Sequence, residues 1–377
     1  MPSLLLLCCL IALMCGPASA AEGEYLAVWE VGASDVVSSV AIAQDGSTIV
    51  AGAGSLVYVL DREGNVLWQT VAGSSVNGVG ISPEGSYIGV AADKLYLFDR
   101  DGELLWTEKT TFVYRDVALS SDGRYIAAAC DNGAIYLFDR NHKQLWDYDM
   151  GTDSYAIAIS KNGRKIAIGC ENGGVYSLNS RDGESWSYGT GKRVEGIALT
   201  PDARFVAAGS LDRCVYLSTG EGEHLWKYPT EDAIRSMAMT DEAEEIFAAS
   251  GRTVLVLDRA GVVLQEITLG GRAESVAVTP DGSFLVVGAG DGDRSLRLFT
   301  DDATLIESED LTGAAVNETE PLDLLPADVT PPPADDRTGA AAEPDTQNEE
   351  TSLPALVLGW VENVLNLLFK PQDGFLA

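Results

Sequence analysis

Residues 114–146 read YRDVALSSDGRYIAAACDNGAIYLFDRNHKQLW, and this stretch decides the fold. It holds three short apolar runs, separated by an Asp-Gly and an Asn-Gly pair, and a fourth run begins at its last residues. Short runs rich in β-branched and aromatic residues are typical of buried strands. Asp-Gly and Asn-Gly supply the positive φ angles that tight hairpins need. The stretch therefore predicts one unit of four antiparallel strands.

The same unit recurs along the chain. Tryptophan returns every 38 to 40 residues, at Trp29, Trp68, Trp106, Trp146, Trp186 and Trp226. A turn pair returns seven times, at Asp45-Gly46, Glu84-Gly85, Asp122-Gly123, Asn162-Gly163, Asp202-Ala203, Glu242-Ala243 and Asp281-Gly282. Four strands in about 40 residues are typical of a propeller blade. A lone blade would expose both apolar faces, so we expect seven blades around one axis, with the tryptophans in the gaps between them.

Two arrangements could complete the seventh blade. Trp29 precedes the first turn pair, so Glu24 to Val31 reads as a fourth strand without its own blade. Glu274 to Phe299 supplies three strands and then no tryptophan. We expect the N-terminal strand to close the ring, which leaves no exposed sheet edge at the seam. In the alternative, Thr304 to Glu307 is the fourth strand and the N-terminal strand is unpaired.

The units resemble the WD40-like and PQQ-like (quinoprotein-type) β-propeller repeats of exported prokaryotic proteins. The resemblance covers about residues 24–300 and is carried by the pattern of Ser121 to Ala127 and, most fully, by Tyr96 to Trp106. It implies the propeller scaffold, which hosts many functions. The Trp-Asp and Gly-His pairs of true WD40 repeats do not recur here. The vicinal disulfide and metal-ligand set of similar dehydrogenases have no counterpart, so the resemblance implies no quinone cofactor.

The two ends of the chain differ from the repeats. Leu4 to Met14 is an apolar run followed by small residues up to Ala20, which predicts a signal peptide over residues 1–20 and an exported protein. Residues 301–352 are acidic and Pro-rich and read as a disordered linker, with a glycosylation sequon at Asn317. In residues 353–370 the polar residues recur at helical spacing, so that one face is less apolar than the rest, which predicts an amphipathic helix. We expect Leu353 to Phe369 to contact a partner, the propeller or a membrane surface.

The charge of the chain argues against a nucleic-acid partner, and its cysteines indicate core positions rather than disulfides. The formal net charge is −32, and residues 1–300 carry 40 acidic and 23 basic residues of the total. Nucleic-acid binding needs a basic surface, so we expect no nucleic-acid partner. Removal of a signal peptide would leave Cys130, Cys170 and Cys214, which we interpret as buried apolar residues rather than disulfide partners.

Sequence patterns of catalysis are missing. His142 and His224 are the only histidines, and each falls in a surface loop before a fourth strand. No His pair at metal spacing, Cys-x-x-Cys, nucleophile elbow or P-loop occurs. We interpret Asp131-Asn132-Gly133 and similar triplets as hairpin turns rather than calcium-binding loops, because the full EF-hand loop pattern is absent. We therefore expect no catalytic residue, no metal site and no cofactor.

One ring of positions varies where the core positions repeat. At the start of each innermost strand the sequence holds Ser38, Asn77, Arg115, Tyr155, Glu195, Arg235 and Glu274, with Asp153, Arg193 and Arg272 two residues upstream in three blades. These side chains should meet near the mouth of the central channel. We predict a protein or peptide site formed by Arg115, Tyr155, Arg193, Glu195, Arg235, Arg272 and Glu274. A quinoprotein-type enzyme and an envelope protein anchored by its C-terminal helix are the alternatives; an ordinary solvated rim is the simplest reading of the ring.

Overall fold

The structure is a computed structural model that describes residues 23–120 and 123–307, the side chains of Glu184 and Glu307 excepted. The predicted signal peptide, most of the linker, the Asn317 sequon and the C-terminal helix lie outside the described residues. No helix in the described ranges is long and apolar enough to span a membrane.

Seven four-stranded antiparallel sheets form the described part, which confirms the predicted seven-bladed propeller. The first three blades consist of β2 (Val37–Ile42), β3 (Thr48–Ala53), β4 (Leu56–Asp61) and β5 (Val66–Val71); β6 (Gly78–Ile81), β7 (Tyr87–Ala91), β8 (Leu95–Asp99) and β9 (Leu104–Glu108); and β10 (Tyr114–Leu119), β11 (Tyr125–Cys130), β12 (Ala134–Asp139) and β13 (Gln144–Asp149).

The remaining blades follow the same order. The fourth, fifth and sixth consist of β14 (Ser154–Ile159), β15 (Lys165–Cys170), β16 (Gly174–Asn179) and β17 (Gly183–Gly189); β18 (Val194–Leu199), β19 (Phe205–Ser210), β20 (Cys214–Thr219) and β21 (His224–Pro229); and β22 (Ile234–Met239), β23 (Glu245–Ser250), β24 (Thr253–Asp258) and β25 (Val263–Thr268). The seventh consists of β26 (Ala273–Val278), β27 (Phe284–Ala289), β28 (Ser295–Thr300) and β1 (Leu26–Gly32).

The N-terminal strand closes the ring. β1 pairs antiparallel with β28, with Leu26 opposite Thr300 and Gly32 opposite Ser295. The alternative strand is wrong, because Ala303–Glu307 forms a short helix, α1, instead. β26 is the first and innermost strand of its blade, like β2, β6, β10, β14, β18 and β22 in theirs, and all seven strands begin at the same face of the ring. β28 runs in the same direction as β26, so it ends at the opposite face, and β1, which is antiparallel to β28, begins there. Both ends of the described propeller therefore lie at the opposite face.

The turn pairs behave as their composition predicts. The second residue of each pair has a positive φ, between 53° and 84°. These residues are Gly46, Gly85, Gly123, Gly163, Ala203, Ala243 and Gly282. Most are glycine, which accepts this conformation without a Cβ clash. The repeated glycines in the sequence therefore mark the first hairpin of each blade.

The apolar core lies between blades rather than inside them. Each of seven buried clusters in the described ranges takes its residues from two adjacent blades; one of them joins Val37, Ile49 and Leu60 of the first blade to Val286 and Leu298 of the seventh. Burial of apolar area at about 25 cal/mol per Å² favours this stacking. Closing the ring thus completes the core.

The recurrent tryptophans bridge neighbouring blades, as predicted. Five indole N–H groups donate to a backbone carbonyl in the 3–4 loop of the next blade, at 2.7 to 3.0 Å. The pairs are Trp29 to Arg62, Trp68 to Arg100, Trp106 to Arg140, Trp186 to Gly220 and Trp226 to Arg259. Each of these five tryptophans therefore supplies both apolar contact and one hydrogen bond across a blade junction.

The sixth blade carries Gln265 where the others carry tryptophan. Its side-chain amide accepts from the Tyr25 N–H (2.8 Å) and donates to the Tyr25 carbonyl (3.1 Å). The Tyr25 hydroxyl lies 2.7 Å from both a Glu245 carboxylate oxygen and the Gly282 carbonyl. Burial and the Glu245 carboxylate raise the pKa of Tyr25 far above its usual range. The entering chain is thereby fastened to the sixth and seventh blades.

Candidate functional site

The seven innermost strands, β2, β6, β10, β14, β18, β22 and β26, all begin at one face. In six of them the pairing with the next strand shifts by one residue at the second position, so that this residue is the extra residue of a β-bulge. These extra residues are Ser38, Arg115, Tyr155, Glu195, Arg235 and Glu274. A bulge re-aims a side chain out of the sheet pattern. The repeated backbone feature thus turns non-repeating side chains toward the axis.

These side chains surround one cavity of about 430 Å³ at the channel mouth. Its lining is Ser38, Ser39, Asn77, Arg115, Asp116, Tyr155, Arg193, Glu195, Arg235, Ser236, Glu274 and Ser275. Six of the seven predicted contact residues are among them. Arg272 stands outside the lining but reaches it, since one of its guanidinium nitrogens lies 3.5 Å from Glu274 and another 2.9 Å from Asp291. We call this surface the channel mouth.

A chain of ion pairs runs along the fourth to seventh blades. Arg193 contacts Glu171 at 3.1 Å and also pairs with Glu195. Arg235 lies between two carboxylates, 2.9 Å from Glu195 and 3.6 Å from Glu274. Both carboxylates are largely buried, with side chains 12% and 14% exposed. Because arginine and glutamate side chains alternate along this network, each charge has an opposite neighbour, and the ion pairs restrict the positions of these side chains.

Tyr155 joins this network to the third blade. The guanidinium of Arg193 lies 4.4 Å from the centre of the Tyr155 ring, and that of Arg115 lies 5.3 Å from it. Such stacking attracts a cation to the aromatic face. The Nε atoms of both arginines are buried without a hydrogen-bond partner among the described residues. The Tyr155 ring therefore provides a contact for the guanidinium groups of Arg115 and Arg193 where their Nε atoms have no hydrogen bond.

The first two blades present a neutral side of the mouth. The Ser38 hydroxyl lies 2.7 Å from the Val76 carbonyl, and the Asn77 amide donates to the Tyr114 carbonyl at 2.8 Å. Both side chains are thus bound to backbone rather than to charged groups. The mouth is consequently asymmetric, with charged residues along the third to seventh blades and neutral ones along the first two.

A second tier of lining residues, absent from the sequence prediction, lies one residue further along the inner strands. Ser39, Ser236 and Ser275 each accept a backbone N–H from the inner strand of the following blade, at 3.0, 3.2 and 3.0 Å. Asp116 does the same in the third blade, accepting from Ile157 at 2.9 Å. These bonds fasten adjacent inner strands together around the channel.

Asp116 is the exception in this tier. The other six blades hold Ser39, Gly78, Ala156, Gly196, Ser236 and Ser275 there, none of which is charged. Burial raises the pKa of Asp116 to about 7, although hydrogen bonds from Ile157 and Val117 oppose the shift. A single charged residue at a position of small uncharged ones was the signal in the sequence that could have found it.

The histidines lie on the surface as predicted, but only His142 lies in a loop, because His224 is the first residue of β21. The His142 imidazole stacks on Trp106 at 4.7 Å and contacts Glu108 at 2.7 Å on the surface. Cys130, Cys170 and Cys214 are free and buried, which confirms their interpretation as core residues. Burial raises the pKa of Cys130 to about 12. No group of three or more His, Cys, Asp or Glu that could hold a metal ion occurs in the described ranges.

Comparison with known proteins places the chain in a class. A family model described as outer membrane protein assembly factor BamB matches residues 20–167. A model of the WD domain, G-beta repeat, matches residues 185–217. No curated protein matches the chain. Together with the seven sheets, these matches define a β-propeller protein built of WD40-like and PQQ-like repeats.

Proposed function

We propose that the protein is an extracytoplasmic binding scaffold that holds a protein or peptide partner at the channel mouth and performs no catalysis itself. One observation carries the proposal: six bulges on a repeating backbone present different side chains around a single cavity. Variable side chains on a rigid repeated frame are how such scaffolds build specific sites.

Two further observations support the location and the kind of partner. The family model that matches residues 20–167 is described as an outer membrane protein assembly factor, which favours an extracytoplasmic place for this chain. Repeats of this class commonly mediate contacts between proteins. The strongly acidic composition favours protein over nucleic acid, because phosphate contacts need a basic surface.

The test is cross-linking of the protein in its native envelope, followed by isolation and identification of what is attached. Partners that bind the channel mouth should be lost from Arg115→Ala and Tyr155→Ala variants. Arg204→Ala is the matched control, because Arg204 also forms ion pairs, with Asp202 and Glu242, but in the turns of the opposite face. Retention of every partner by the channel-mouth variants would show that binding occurs elsewhere.

The anchored-structural-protein alternative depends on residues 353–370, which lie outside the described residues. Its test is deletion of residues 353–377 and comparison of cell fractionation. An unchanged distribution would count against it. For the quinoprotein alternative, the test is quinone absorbance and dye-linked dehydrogenase activity of the purified protein.

A further inference from the structure

Asp116 stands out among the charged side chains that line the channel mouth. Arg115, Arg193, Glu195, Arg235 and Glu274 each have an oppositely charged partner within 4.0 Å. Asp116 has none among the described residues; its two oxygens accept only backbone N–H groups, from Val117 at 2.8 Å and Ile157 at 2.9 Å. The Asp116 carboxylate is therefore the one lining charge that the described chain leaves uncompensated.

The fold does not require a carboxylate at this place. Ser39, Ser236 and Ser275 make the same bond to the next blade with a neutral hydroxyl. A partly buried charge without an ionic partner costs free energy that serine at position 116 would avoid. Local stability thus gives no reason to prefer aspartate over serine.

The neighbouring blade makes room for this carboxylate. A Cβ on Gly78 would lie 2.6 Å from an Asp116 carboxylate oxygen and 2.8 Å from its Cα. The second blade approaches Asp116 through a residue without a side chain, and the carboxylate sits on the cavity wall between Gly78 and the fourth blade. The acid and the space for it therefore occur together.

We propose that Asp116 binds a primary ammonium group, the side chain of a lysine that a partner inserts into the channel mouth. This deepens the proposed function and rests on the channel mouth being the binding face. A compact cation with three N–H donors can use the remaining lone pairs of Asp116 together with nearby hydroxyls and carbonyls. The cavity of about 430 Å³ has room for such a side chain.

Binding should depend on pH, because an ammonium ion prefers the ionised carboxylate. With the pKa of Asp116 raised to about 7, the ionised fraction falls about ten-fold between pH 8 and pH 6. The charged and titratable groups around it are Arg115 on its own strand, which pairs with Asp131, and Tyr155 on β14. Arg193, Glu195, Arg235 and Glu274 line the same cavity, and β6 brings the neutral Asn77 and Gly78. Glu274 across the cavity also has a pKa raised by burial, so the pH effect must be assigned with a variant.

The experiment titrates the purified protein with n-butylammonium, which mimics a lysine side chain, and uses n-butanol and butyrate as neutral and anionic controls. Calorimetry or ligand-observed NMR should detect n-butylammonium binding at pH 8 that is about ten-fold weaker at pH 6. Asp116→Ser, which copies the other blades, should weaken binding at least ten-fold at pH 8 and remove the pH dependence. Asp116→Asn serves as the second variant if the serine variant does not fold.

Three results would overturn the proposal: n-butylammonium binding that is absent, equal binding by the folded serine variant, or tighter binding of butyrate. The last would assign the channel mouth to an acidic ligand held by its arginines. Failure here is distinguishable from failure of the proposed function. If Arg115→Ala and Tyr155→Ala lose a cross-linked partner while Asp116→Ser keeps it, the face is right and the lysine assignment is wrong.

Discussion

Gly102 of the second blade lies directly against the indole ring of Trp68 of the first. A Cβ built on Gly102 would lie 2.9 Å from the Trp68 ring, and its φ is 88°. The indole N–H meanwhile donates to the Arg100 carbonyl at 2.8 Å. Two residues that are distant in sequence thus form one blade junction, and each constrains the other.

Gly102→Ala should therefore lower the free energy of unfolding by about 2–4 kcal/mol, from backbone strain and displacement of the tryptophan together. Gly151→Ala is the matched control, because Gly151 also has a positive φ, of 66°, but a Cβ added there would have no neighbour within 4 Å. It should cost only the strain, about 1 kcal/mol. Urea denaturation measures both, and equal losses would contradict the packing explanation.

Asp116→Ser should gain stability relative to the wild type as pH rises. The pKa of Asp116 is raised above its unfolded value of 3.8, so the folded state binds the proton more tightly. The stability this contributes is present below pH 3.8 and is lost as pH rises toward 7. Serine does not titrate, so the difference in Tm between variant and wild type should grow between pH 4 and pH 8. A difference that is constant with pH would show that Asp116 is not buried in solution.

Arg235→Ala should destabilise the protein more at pH 8 than at pH 4. Arg235 lies between the carboxylates of Glu195 and Glu274, which are both largely buried. Loss of Arg235 removes one ion pair from each of them. Burial already raises the pKa of Glu274, and Arg235 opposes that shift, so the variant should raise the pKa further. We expect a loss of about 1–3 kcal/mol at pH 8 by urea denaturation. Arg204→Ala, in an exposed ion pair, should have a much smaller effect, and equal effects would contradict a buried network.

Tyr25→Ala should open the ring at its seam. Tyr25 is 3% exposed and packs edge-on against Phe247 at 5.4 Å. Removing a buried aromatic ring costs about 3–5 kcal/mol, and here the loss falls on the strand that closes the seventh blade. Hydrogen exchange should show protection lost first in β1 and β28. The control Tyr216→Ala removes a buried tyrosine of the fifth blade and should leave β1 protected; uniform loss in both variants would rule out a local seam.

The ring of channel-mouth positions could be found from sequence because the repeat provides a register. Once Trp106 and Trp146 are aligned, Arg115 and Tyr155 occupy one structural position, and variation there is visible against a constant background. Asp116 was missed because the prediction considered one register position at the start of each inner strand and the position two residues upstream of it, and Asp116 lies one residue downstream. Which charges pair could not be predicted, since Arg235 contacts carboxylates about 40 residues away on either side only after the ring has closed.

Local chemistry thus accounts for the blades themselves. Alternating apolar runs and glycine turns specify four short strands, and a period of 38 to 40 residues specifies their repetition. The seam and the charge pairing of the channel mouth arise from contacts between blades. In the sequence, Gln265 is only a position that lacks the recurrent tryptophan; the structure shows that its side chain binds the backbone of Tyr25, 240 residues earlier. Asp116 reads as a surface acid until Gly78 and Ile157 enclose it, because desolvation depends on neighbours that only the closed ring brings together.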